Sequence, residues 1–122
     1  MLLVLTGLLG AELPPEAYER MKKNAEEVVD LTVVDVKHQF WIFRKKEWVQ
    51  AKVTKVHRSK SGLKVGDLVE ISYRFAPLGD AVGPAPIPQL DKGERYKSWI
   101  SKRGKLFAPA AKGSSFYWLG RE

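Results

Sequence analysis

From residue 31 onward apolar residues recur at every second position rather than every third or fourth, which restricts most of the chain to β structure. Val49, Ala51 and Val53 alternate with Gln50, Lys52 and Thr54; Val69, Ile71, Tyr73 and Phe75 alternate with Glu70, Ser72 and Arg74. Tyr96, Ser98 and Ile100 share a face opposite Trp99. Successive side chains of a strand point to opposite faces, so each run offers one face to a core. Upstream, Leu31, Val33 and Asp35 fall on one side and Thr32, Val34 and Val36 on the other. That predicts a strand covered on both faces, continuing through His38 to Phe43. Between the runs lie Arg44-Lys45-Lys46-Glu47, read as a polar turn, the loop Ser59 to Asp67, and Arg103-Gly104-Lys105. The first of these makes a hairpin. The alternation slips at Thr54-Lys55-Val56, which predicts a bulge of the kind that bends a strand into a small barrel.

One helix is expected ahead of the strands. Pro14 and Pro15 start it, Glu16 and Glu19 sit near the positive end of its dipole, and Ala17, Tyr18, Met21, Ala25, Val28 and Val29 follow helical spacing. With 122 residues the chain suits one core, large enough to be stable without staples. There is no cysteine, which removes disulfides, thiol nucleophiles and cysteine metal sites while leaving the compartment open. Residues 1–11 are apolar and uncharged, too short for the roughly 20 residues of a membrane-spanning helix. They read as the end of a signal peptide, which predicts a periplasmic or extracellular protein whose single domain is residues 12–122, with no transmembrane span.

Residues 76–93 carry Pro77, Pro84, Pro86 and Pro88 among glycines, so neither a helix nor a central strand is expected there. The alternate prolines favour an extended segment, and Ile87 and Leu90 should lay it against the barrel. The Gly62 to Gly66 loop lacks the ending of a phosphate-binding loop and precedes a strand. His38 and His57 lie on different strands, read as half-buried barrel residues, and Asp67, Asp80, Asp91 and Glu94 fall at turns. No catalytic residue, metal ligand or cofactor site is assigned, and the chain is not expected to be an enzyme.

A helix before a five-stranded barrel, a long first hairpin, the run Leu63-Lys64-Val65-Gly66-Asp67-Leu68-Val69-Glu70-Ile71 and then Leu90-Asp91-Lys92-Gly93-Glu94-Arg95-Tyr96 resemble OB-type barrels of the netrin-like kind. That group includes the tissue inhibitors of metalloproteinases. The chain is also similar to small exported bacterial proteins of unknown function that begin with a Leu-Pro-Pro-Glu helix. The resemblance spans residues 13–119 and implies a mainly β fold, an OB-like barrel with one N-terminal helix. The inhibitors place a cysteine amine on zinc, and no cysteine exists here, so that route of inhibition is not implied.

The charge is unevenly spread. Overall it is +7, yet residues 1–36 sum to −4 and residues 37–122 to +11, and Glu47 is the only acid against nine bases in 37–64. Such an excess favours anionic partners through counterion release and steering, although a solvated face would look the same. Within it, Trp41, Arg44, Lys45, Lys46, Trp48 and Lys52 combine rings with cations, a pairing suited to stacked bases or the apolar faces of sugars beside an anionic group. In an OB barrel the turn between strands one and two and the turn between strands four and five flank one face. The second of these would carry Lys102, Arg103 and Lys105. The expectation is therefore a noncatalytic, monomeric binding domain for an acidic polymer or acidic protein surface, with nucleic acid admissible only if the chain is not exported. The alternative is a protein-interaction or inhibitor-like module using the proline-rich segment and exposed aromatics.

Overall fold

The computed structural model describes residues 14–41, 44–74, 87 and 89–122, with the side chains of 39–41, 44 and 45 outside that description. Helix α1 (Pro15–Lys23) is followed by β1 (Glu27–Trp41), β2 (Arg44–Ser59), β3 (Leu68–Arg74), β4 (Glu94–Arg103), β5 (Leu106–Pro109) and β6 (Phe116–Arg121), with a 3-10 turn over Lys112–Ser115. The strands run in the order β1-β2-β3-β5-β4, and β4 pairs back onto β1, which closes a five-stranded OB-like barrel. All pairings are antiparallel except β3 with β5. Because β1 occupies one edge of β4 over Arg95–Ile100, β5 and β6 follow one another along the other edge, and β6 is the strand added to the barrel plan.

The helix is shorter than its periodicity suggests. It ends at Lys23 with Asn24 as its C-cap, and Val28 and Val29 belong to β1. Two adjacent β-branched residues suit a pleated strand better than a helical turn, where their χ1 freedom is lost. No helix residue is fully buried; Arg58 holds its end instead, donating to the carbonyls of Lys22 and Ala25.

Val29, Leu31, Val33, Val49, Ala51, Val53, Val69, Ile71, Tyr73, Leu90, Tyr96, Ile100, Phe107 and Phe116 form the core, which includes the expected inward residues Val49, Ala51, Val53, Val69, Ile71, Tyr73, Tyr96 and Ile100; Phe75 lies outside the described residues. The slip near Thr54 is a bulge: Asp30 faces Lys55 and Leu31 faces Val53, so Thr54 has no partner on β1. A second bulge, at Val34 between Val33 and Asp35, was not evident in the sequence. It reverses the parity of β1, so Asp35 points outward and Val36 packs against the core, the opposite of what strict alternation predicts. Ile87 and Leu90 lie against the barrel as expected; the rest of the expected extended segment, 76–86 and 88, lies outside the described residues. Residues 1–13, where the signal peptide is expected, do so as well. Among the described residues no helix is long and apolar enough to cross a membrane.

This packing makes Val53→Ala an informative variant. Val53 is wholly buried, and losing its methyls should lower stability by about 1–3 kcal/mol, read as a lower urea midpoint at unchanged slope. Val34, 39% exposed on the bulge, should tolerate alanine within about 0.5 kcal/mol.

Candidate functional site

The register of β1, β2 and β3 fixes two faces of one sheet. On the outer face Lys46 lies opposite Arg74, the next row is Lys37, Trp48 and Ser72, and the next is Asp35, Gln50 and Glu70. Lys52, beyond Gln50, faces Thr32 and Leu68. Rows of like parity are about 7 Å apart, two residues of strand rise. The Lys46 ammonium sits 4.9 Å from the centre of the Trp48 ring. Asp35, Lys37, Trp48, Val49, Gln50 and Glu70 line an open cleft of about 330 Å³. That is the lower end of the roughly 300–1,000 Å³ of small-ligand sites. Asp35, Lys37, Gln50 and Glu70 make no side-chain hydrogen bond or ion pair among the described residues.

Arg44 and Lys45 are not in a turn. They open β2, paired with Trp41 and Phe40, so the connection is only residues 42–43. The second basic turn follows β4: Lys102, Arg103 and Lys105 are exposed, and Gly104 takes the positive φ of 64° that the tight turn requires. The Lys102 N–H donates to Glu26 just before β1, whereas the first turn follows the far end of β1. The basic start of β2 and the basic turn after β4 therefore stand at opposite ends of β1, about 45 Å apart along it at about 3.3 Å per residue, and do not merge into one patch.

The inner face carries the groups that sequence reasoning missed. His38, Glu47 and Tyr73 form one cross-strand row directly behind the Lys37 and Trp48 row. Glu47 is wholly buried; it accepts a 2.8 Å hydrogen bond from the Tyr73 hydroxyl through one oxygen, and its other oxygen lies 3.4 Å from His38 Nδ1. Burial pushes the Glu47 carboxyl above its ordinary value; the Tyr73 hydrogen bond and His38 pull it back, and Asp91 adds to the rise. Burial and the neighbouring Glu47 likewise push Tyr73 up. The backbone at Leu90 and at Asp91 lies close enough to the hydroxyls of Tyr73 and Tyr96 to lower their pKa slightly against the rise from burial. The signal for Glu47 was present: it shares odd parity with Val49, Ala51 and Val53, all inward.

Each histidine meets a carboxylate distant in sequence, His38 with Glu47 and His57 with Asp30 at 2.9 Å. A second aromatic and cationic group is shared by α1, β4 and β6. Lys22 and Lys97 stand 4.5 and 5.2 Å from the Trp99 ring, and Tyr117 and Trp118 are 64% and 61% exposed. Among the described residues no group of three or more histidine or carboxylate side chains could hold a metal ion.

Comparison with family models, curated proteins and solved structures gives no match to this chain. The OB-like plan thus rests on strand order and closure alone.

Proposed function

We propose that the protein is a noncatalytic binding module that takes an acidic polymer on the outer face of β1 to β3. The observation that supports this most directly is the Lys46 ammonium over the Trp48 ring beside Lys37 and Arg74, which couples a half-buried aromatic ring to fixed positive charge. Lys52 extends the same strand face, and Trp41, Arg44 and Lys45 sit at its hairpin end. Lys102, Arg103 and Lys105, at the other end of β1, add steering for a ligand long enough to reach them. The likeness to netrin-like barrels, and export to the periplasm or beyond, belong to this reading; an intact mass showing a mature chain starting near residue 12 is the expected sign of export.

Reversing Arg44, Lys45 and Lys46 to Glu should abolish retention on a heparin column at moderate salt, and reversing Arg103 and Lys105 should weaken it. Wild-type affinity should fall steeply between about 50 and 200 mM salt through counterion release. Lys22 makes a poor control because it stacks on Trp99; Lys23 and Lys112, exposed and on neither β2 nor the turn after β4, serve instead. Equal loss from the control reversal would show that only net charge is read, which defeats a specific face. The exposure of Tyr117 and Trp118 favours a second reading, docking of a protein partner by its apolar side chains, and binding of that kind should barely respond to salt.

A further inference from the structure

Resting on the binding reading above, we infer that the Trp48 cleft is built for an acidic sugar, a pyranose ring bearing a carboxylate or sulfate, rather than for a bare polyphosphate. The outer face is graded along β2. Cations Lys46 and Arg74 form one row, Lys37 and Trp48 the next, and the acceptors Asp35, Gln50 and Glu70 the third. A phosphate chain laid along this face would meet Lys46 and Arg74 at one end and two carboxylates at the other, at a repulsive cost. A sugar ring has different needs at its two ends. Its acidic substituent suits the lysines, its apolar C–H face suits the Trp48 ring, and its hydroxyls are donors for Asp35, Gln50 and Glu70.

The side chains at the third row support this division. Asp35, Gln50 and Glu70 align directly across three adjacent strands, and none spends its hydrogen-bonding groups on another described residue. Neither carboxylate is paired to Lys37 although all three line the same cleft. Carboxylate oxygens accept strong, short hydrogen bonds from hydroxyl groups, so two carboxylates and an amide in one row can fix the orientation of a vicinal diol. The cleft, about 330 Å³, is sized for one or two rings rather than a folded partner. The Val34 bulge is what makes this possible, since without it Asp35 would point into the barrel.

The test turns on the sign of one double variant, Asp35→Asn with Glu70→Gln, assayed by calorimetry against heparin, polygalacturonate and inorganic polyphosphate. The carboxylates are on the surface, so unchanged circular dichroism is expected to accompany any loss of binding. For an acidic sugar, losing two charge-assisted acceptors should weaken binding about tenfold, while polyphosphate binding is unchanged or tighter because repulsion has been removed. Preference for heparin over polygalacturonate, or the reverse, identifies sulfate or carboxylate as the acidic group. Trp48→Ala should weaken both sugars more than it weakens polyphosphate. If the double variant binds the sugars more tightly, or loses all three ligands equally, the sugar inference is overturned while the acidic-polymer reading stands. If the wild type binds none of the three at low salt, both fall together.

Discussion

Leu90→Ala should cost about 2–5 kcal/mol, the range for deleting a buried leucine side chain whose surroundings relax only in part. Leu90 is wholly buried yet lies outside any helix or strand, in the connection that leads into β4. Its side chain fills the core while its backbone lies beside the Tyr73 hydroxyl, as the backbone of Asp91 lies beside that of Tyr96. Truncation removes apolar contacts and opens space beside Glu47, in a site polar enough for water to enter. The urea midpoint should therefore drop, and hydrogen exchange at Leu90 and Asp91 should quicken more than exchange within β1. A cost under about 1 kcal/mol would show that this connection is a passive loop and not part of the core.

The barrel was legible because hydrophobic alternation is a local signal, and among the described residues every inward position expected on β2, β3 and β4 is buried. What remained hidden arose from two non-local features. The bulge at Val34 depends on which partner β1 meets: six residues, Glu27 to Thr32, pair with β4 as well as β2, and beyond Val34 only β2 remains. A change of partner leaves no mark in composition, so strict alternation puts Asp35 on the side of Leu31 and Val33 and separates His38 from the core row. Glu47 differs from its sequence expectation for another reason. Flanked by Arg44-Lys45-Lys46, it reads as the end of a turn, although its parity matches Val49, and in the folded chain register outweighs charge. The aromatic run Phe116-Tyr117-Trp118 offers the complementary case: three consecutive rings cannot all face a core, and Phe116 is buried while Tyr117 and Trp118 are exposed.

The basic hairpin shows how far sequence carries a site. Trp48, Lys46 and Lys52 were recognisable as a ring among cations, and the structure puts all three on one outward face. The cleft beside Trp48 was not recognisable, because Asp35 and Glu70 are 35 residues apart and meet only across Gln50. Two like-charged residues in separate strands give no sequence signal of proximity. Their presence also changes the chemistry from a plain basic patch to a surface with distinct cationic and acceptor ends.

Glu47→Gln should remove a pH dependence that the wild type carries. The Glu47 carboxyl is raised above its ordinary value of 4.5 in the folded chain, chiefly by burial, while in the unfolded chain it returns to that value. Between the two values the folded state holds a proton that the unfolded state has released, so ν_N exceeds ν_U and stability falls as pH rises. The contribution of this group is fully present below pH 4.5, declines as pH rises through the window, and is constant once Glu47 is ionised in both states. Within the window the slope can approach about 1.4 kcal/mol per pH unit. Glutamine keeps the acceptor for the Tyr73 hydroxyl and can turn its amide toward His38, so it should match the wild type at pH 4 and exceed it at pH 8. Tyr73→Phe should act in the opposite direction, because it removes the hydrogen bond that favours the ionised carboxylate. Its window should widen, and the buried carboxylate left without that donor should cost about 1–3 kcal/mol. The measurement is the difference in unfolding free energy between wild type and Glu47→Gln from pH 4 to 8, which cancels the titration of all carboxylates distant from this row. A difference that grows in favour of the wild type as pH rises would mean that an ionised Glu47 paired with His38 is the stabilising state, and the raised carboxyl would have to be abandoned.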